Sequence, residues 1–343
     1  MKALVLSGGS GTRLRPFSYS MPKQLIPIAG RPVLEHVLGN IRDLGVTEVG
    51  IVVGAWAGEI AAAIGDGSRL GLRVTYIRQD RPLGLAHAVR TARGFLGDDD
   101  FVMYLGDVML PDGVADLAER FRAERPAAQV VVHRVADPRG FGVVELDAGG
   151  AVRRLVEKPR RPRSDLALVG VYFFGPAIHE AVTAVAPGRR GELEITDAIQ
   201  WLVTRGAKVA AVEYGGYWKD TGQADDVLEC NRHLLGGLGG RAVVHPTARV
   251  VRSLIEGPAI VGANTVIEDC HLGPGVSIGR DCVLRGTRLS DSIVLDGASI
   301  EEVRGMHGSI IGRSAVVRPA DRDGMRHRLL VGDNTRIEIP VSI

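Results

Sequence analysis

Along residues 1–236 short apolar runs alternate with stretches in which apolar residues recur at helical spacing. Ala3–Leu6 is a first apolar run that ends in glycines, and Val33–Leu44 follows with the spacing of an amphipathic helix. Val49–Val53 predicts the next strand, a helical stretch covers Ile60–Ala63, and Val74–Ile77 reads as a strand again. Leu85–Phe95 is helical, and Phe101–Leu105 is a buried strand closing on Gly106 and Asp107. Further strands are expected at Gln129–His133, Gly142–Leu146, Leu168–Phe174 and Val209–Tyr214. Helices are expected from Ile195 to about Arg205, behind the acidic Glu192 and Glu194, and over Ala224–Leu235. This alternation implies an α/β protein whose mostly parallel sheet carries helices on both faces. Ligands of such sheets bind beyond the carboxyl ends of the strands, where Gly8 and Asp107 both fall.

The pattern changes after Gly236-Gly237-Leu238-Gly239-Gly240. Leu254, Ile260, Val266, Leu272, Ile278 and Leu284 recur every six residues, and Val294/Ile300 and Ile310/Val316 continue the interval after slips. Gly262, Gly273, Gly279 and Gly312 each follow an aliphatic residue. A six-residue aliphatic period is the mark of a parallel β-helix, in which short strands stack rung on rung. Two domains are therefore expected, 1–236 and 237–343, the second a module suited to side-by-side association in a homo-oligomer.

At 343 residues, 45% hydrophobic and 24% charged, the chain has the balance of a globular protein of about two domains. No apolar run approaches a membrane span, and the start MKALVLSGG reads as a strand rather than a secretion signal. The net charge of +2 is dispersed, which gives no footprint for nucleic acid. Cys230, Cys270 and Cys282 form no metal-type spacing and read as small buried residues of a cytoplasmic protein. Of 42 basic residues only five are lysines, Lys2, Lys23, Lys158, Lys208 and Lys219. Lysine is a compact point charge suited to a phosphate oxygen, and three of the five fall in the motifs below.

Gly8-Gly9-Ser10-Gly11-Thr12-Arg13 follows the first strand. Glycines there let successive backbone N–H groups approach a phosphate. The spacing is not that of a dinucleotide fingerprint, and basic residues follow instead: Arg13, Arg15 and Lys23. Cations so placed suit a run of phosphates.

The ordered strings LVLSGGSGTRLRP, PKQLIPI, YIRQDRPLGLAHA, MYLGD, GVVEL, VEKP, RGELEITD and YWKDTG resemble the sugar-1-phosphate nucleotidylyltransferases across essentially the whole chain. The likeness is greatest to glucose-1-phosphate thymidylyltransferases of the long form. It implies a Rossmann-like nucleotidyltransferase sheet followed by a left-handed β-helix, associating as a trimer or a tetramer. It also implies Mg²⁺ as cofactor, dTTP or UTP and a sugar 1-phosphate as substrates, and no nucleic-acid or membrane partner. By the same resemblance Leu6, Gly8, Gly9, Gly11, Thr12, Arg13, Gln79, Pro82, Gly84 and Asp107 would hold the nucleotide. Lys23, Gly142, Glu157, Lys158, Val169, Arg190 and Trp218 would hold the sugar phosphate. Asp107 and Asp220 would carry the metal, and Arg13, Lys23, Asp107, Lys158 and Asp220 the catalysis.

Two positions depart from the family pattern. Val108 stands where asparagine is usual beside the metal aspartate, and Phe141 replaces a tyrosine near the sugar. A lost hydroxyl shifts selectivity where a site was built to pair it, so the sugar is the less secured substrate. Three other readings stay open on the sequence: a uridylyltransferase, a bifunctional enzyme whose β-helix acetylates an amino-sugar phosphate, and a non-catalytic nucleotide-sugar sensor.

Overall fold

The computed structural model describes residues 1–9 and 11–319, so Ser10 and the end of the expected second domain, 320–343, lie outside the described residues. Contacts fall into two units that do not follow chain order. One is Met1–Gly9 with Val33–Asp220; the other is Ser10–Pro32 with Thr221–Ile343.

The first unit is built on a nine-stranded sheet. Its centre is Lys2–Ser7, parallel to Glu48–Val53 on one side and Phe101–Leu105 on the other, with Arg73–Arg78 parallel beyond. Ala3, Leu4 and Val5 are fully buried, as the continuous apolar run requires of a strand covered on both faces. Beyond Phe101–Leu105 the sheet turns antiparallel through the long strand Leu166–Phe174. That strand pairs with Ala128–Arg134 and touches Gly142–Leu146, which is paired in turn with Val152–Glu157. The predicted helix over 85–95 is interrupted at Ala92, giving Leu85–Thr91 and Arg93–Leu96. No helix among the described residues is long and apolar enough to cross a membrane.

The β-helix of the second unit is three stacked parallel sheets, one per face of the coil. Its register steps by 17 residues: Ala242 lies opposite Ala259, and Ala259 opposite Val276. The step shortens once, with Val294 opposite Ile278 and Ser299 opposite Val283. Three strict six-residue intervals would need a longer coil, so the inward positions run Ile255, Val261, Ile267, then Leu272, Ile278, Leu284. The expected Leu254, Ile260 and Val266 are thus one residue early and face outward, as do Ile310 and Val316 beside the inward Ile311 and Val317. Leu254 is 54% exposed and Leu284 0%. Aliphatic residues flank each inward position, which is why the apolar period alone slipped.

The corners take left-handed backbone in columns: Arg252, Asp269, Gly286 and Glu302 form one, and Asn264, Asp281, Gly297 and Ser314 another. Asp and Asn tolerate that conformation better than other non-glycine residues. At Gly279 space is the reason for glycine, since a Cβ would sit 2.8 Å from the backbone nitrogen of Asp296 in the next coil. Cys270 and Cys282 are buried inside the coil, free, and held high in pKa chiefly by burial.

Leu284→Ala should lower stability by about 2–5 kcal/mol, and Leu254→Ala should change it by less than about 0.5 kcal/mol, both read from urea denaturation. Equal losses would show that the six-residue period, not the coil of 17, lines the core.

Candidate active site

In the first unit, turns converge at the carboxyl edge of the parallel strands. Gly8 follows Ser7, which lies opposite Val53, and Gly106 N–H donates to the Leu6 carbonyl at 3.0 Å. Gly8 and Gly54 approach so closely that a Cβ on Gly54 would be 3.4 Å from the Gly8 oxygen. Asp107 is buried at the end of its strand. Asp220 is half-buried on Lys219–Asp220, which pairs antiparallel with Val108–Met109 and sets Asp220 opposite Val108. The edge therefore presents Leu6, Gly8 and Gly9 beside two carboxylates contributed by neighbouring backbone.

Gln79 reaches into this edge. Its Nε2 donates to the Gly84 carbonyl at 3.3 Å and lies 2.9 Å from His87 Nδ1. Burial, then the charge of Arg90, lowers the His87 pKa, so the neutral ring can accept at Nδ1. With both amide hydrogens engaged, Oε1 faces Gly8, where a Cβ would lie 3.4 Å from it. Gly84 has φ +100, and a Cβ there would come within 2.5 Å of the Leu193 carbonyl. Leu193 N–H bonds to Leu83 O at 2.7 Å, and Ala86 N–H bonds to Leu193 O at 3.0 Å, so the loop is clamped; Pro82 within it stays exposed.

The same backbone leads into a charged cluster. Glu157 ends its strand opposite Gly142, and Lys158 follows in left-handed backbone with φ 41, its N–H on the Phe141 carbonyl. Such a conformation in a lysine is strained and is a pointer to function. Arg190 bonds to Glu194 at 2.8 Å and Glu157 at 3.1 Å, with Glu192 at 3.5 Å. Lys158 stands 3.7 Å from Glu157, and Thr196 Oγ1 donates to Glu157 Oε2 at 3.3 Å. Burial opposes the Arg190 charge, but the hydrogen bond and charge of Glu194, then Glu157 and Glu192, raise its pKa overall. Glu194 is raised first by burial and then by Glu157, against its bond to Arg190. Trp218 donates Nε1–H to the carbonyl of buried Val169 at 3.1 Å and meets Phe141 edge-on at 5.2 Å.

Of the residues expected around the sugar phosphate, Gly142, Glu157, Lys158 and Arg190 are brought together, and Val169 and Trp218 are joined to each other. Thr196, Glu194 and His87 were not singled out. Their signals lay in RGELEITD and LGLAHA, but their placement comes from the starts of the helices Ile195–Thr204 and Leu85–Thr91, which bring Thr196 to Glu157, Glu194 to Arg190 and His87 to Gln79.

Gly11, Thr12, Arg13 and Lys23 belong to the second unit. Gly11 is left-handed, φ 62, and begins the short turn Thr12–Leu14. A Cβ on it would lie 3.1 Å from Ser18 Cβ and 3.5 Å from Lys23 Cβ, so glycine is required where the chain folds back on the lysine. Lys23 opens the turn Lys23–Leu25. Thr12 and Arg13 are exposed.

Glycine turns and aspartates at the carboxyl edge of a parallel sheet lie where α/β enzymes bind their ligands. The nucleotidyl transferase family model matches residues 2–236, and the chain belongs to that family. It is 51% identical to a glucose-1-phosphate thymidylyltransferase of Streptomyces antibioticus over 99% of both chains. A Streptomyces griseus protein of the same description is 50% identical, again over 99% of both. A Bacillus anthracis protein solved in complex with sucrose is 31% identical with TM-score 0.63, covering 67% of this chain and 94% of that one.

Gly142→Ala would bring a Cβ to 2.7 Å from Leu168 Cδ1 and 3.2 Å from Glu157 Oε2. The expected cost is about 1–3 kcal/mol of overpacking, measured by thermal denaturation. An unchanged midpoint would mean that this wall is slack.

Proposed function

We propose that the protein transfers a thymidylyl group from dTTP to α-D-glucose 1-phosphate, giving dTDP-glucose and pyrophosphate. The observation that carries this assignment is the likeness over 99% of the chain to the Streptomyces glucose-1-phosphate thymidylyltransferases. The site chemistry agrees with it. A Gln79 Oε1 acceptor suits the N3–H of thymine or uracil and not the ring-nitrogen acceptor of cytosine. Gly8, Gly9, Gly11 and Thr12 offer backbone to the triphosphate, and Arg13 and Lys23 supply charge against the repulsion between two anionic substrates. Lys158 and Arg190 serve the sugar phosphate, and Glu157 takes hydroxyl hydrogens of the sugar.

The phosphate oxygen of the sugar phosphate attacks the α-phosphorus in line; the bond from that phosphorus to the bridging oxygen breaks and pyrophosphate leaves. The attacking group is already ionised at neutral pH, so no general base is required. Asp107 and Asp220 fit Mg²⁺: both are hard oxygen donors, and no group of three or more His, Cys, Asp or Glu gathers among the described residues to favour a softer ion. When bound, the ion neutralises charge on the phosphates.

Catalysis is assigned to residues 1–236, and residues 237–343 to assembly as a trimer ahead of a tetramer. Buried cysteines at 230, 270 and 282 suit a reducing cytoplasm.

Asp107→Ala should abolish pyrophosphate release with the fold retained, and Arg13→Ala should cost on the order of 10²-fold or more in turnover. Near-normal rates in either variant would sink the mechanism. A matrix of nucleotides against sugar phosphates, followed by pyrophosphate release, should show dTTP preferred with measurable use of UTP. The difference is one methyl group, about 1–3 kcal/mol. UTP rates equal to or above those with dTTP would overturn the donor assignment.

A further inference from the structure

The cation-bearing segment is anchored by a residue far from it in sequence. Asn231 lies on the helix Ala224–Gly236 and is completely buried. Its Oδ1 accepts from Ala29 N–H at 2.9 Å and from Ser277 Oγ at 2.7 Å, and its Nδ2 donates to the Gly275 carbonyl at 3.1 Å. One amide thus joins three separate stretches: the segment 11–32, the helix, and a coil of the β-helix.

Each end of this link is tight. Ala29 has φ 48 and Gly30 φ 74, so they form the two-residue turn between the paired strands Pro27–Ile28 and Arg31–Pro32. A Cβ on Gly30 would be 3.3 Å from Ile260 Cγ2 on the outer face of the β-helix. Ser277 points outward from its sheet, as its neighbour Ile278 packs the core, yet it is only 3% exposed. The next helix residue, Arg232, is ion-paired to Asp291 at a coil corner. A buried amide left without partners is costly, which makes the three bonds a rigid set rather than an adjustable one. Only Ile26 separates the turn Lys23–Leu25 from the strand Pro27–Ile28, and Lys23 in turn backs Gly11.

We propose that Asn231 is a positioning residue for nucleotidyl transfer, through which the β-helix fixes the segment carrying Arg13 and Lys23. This rests on the assignment of Arg13 to the triphosphate and of Lys23 to the phosphates of both substrates. Small displacements of a charge meant for a reacting phosphate have large effects on rate, so a distant anchor can govern catalysis without touching substrate.

The test uses the full chain with dTTP and glucose 1-phosphate. Asn231→Leu removes all three bonds and should lower kcat, and with it kcat/KM for the nucleotide, at least tenfold, leaving both KM values within threefold. Ser277→Ala removes one hydroxyl, keeps the fold, and should lower nucleotide kcat/KM two- to fivefold with the same selectivity; it decides the matter if Asn231→Leu does not fold. A nucleotide kcat/KM within twofold of the unmodified protein in the folded variants overturns the inference. So does a joint rise of the nucleotide and sugar-phosphate KM values with kcat unchanged, which is general loosening. Lys23→Ala separates the two levels. A large effect on turnover there with silent Asn231 and Ser277 variants sinks the anchoring alone, whereas a silent Lys23→Ala sinks the assignment of Lys23 to the reacting phosphates and the anchoring with it.

Discussion

A fully buried carboxamide has few acceptable arrangements, because each unpaired hydrogen or lone pair costs about 1–3 kcal/mol. Asn231 meets that constraint by drawing partners from Ala29, Gly275 and Ser277. The outer face of one β-helix sheet is thereby committed to a helix and a tight turn rather than to water. This is why residues 10–32, which stand in the N-terminal part of the chain, group with the β-helix and not with the strands on either side of them in sequence. The β-helix is more than an appended assembly module: its packing reaches the segment that carries two of the expected catalytic cations.

The parallel half of the first unit was legible because strands covered on both faces must be continuously apolar, and Ala3–Leu6, Val49–Val53 and Phe101–Leu105 are. Val152–Glu157 was not legible. Two adjacent exposed arginines, Arg153 and Arg154, break its alternation where the register shifts, and nothing in its composition announces the pairing that sets Glu157 against Gly142. The β-helix was legible as an architecture, but its register was not. Leu254 and Ile255, or Ile260 and Val261, are equally apolar neighbours, and only the stacking decides which of them enters the coil.

The candidate site divides in the same way. Glycines, aspartates and lysines that chemistry demands stood out by type, and Asp107, Glu157 and Lys158 fall where strands end. Groups that act through those residues did not stand out. Glu192 and Glu194 surround Arg190 together with Glu157, so three carboxylates face Arg190 and Lys158. On the proposed assignment, a phosphate arriving there would compete with carboxylates already in place for the guanidinium, and that arrangement depends on backbone geometry that no string of residue types records.

The anchoring of Ala29 also sets an order of events during synthesis. Its partner Asn231 is 202 residues further on, and the coil residues that complete the network come 44 and 46 residues after that. At elongation speeds of about 5–20 residues per second the nascent chain waits roughly 10–50 s for them. Through that interval the strands of the parallel core can already pair, while the Ala29 amide has no lasting partner. On the proposed anchoring, catalytic competence is therefore acquired only once the third coil, with Gly275 and Ser277, has been made.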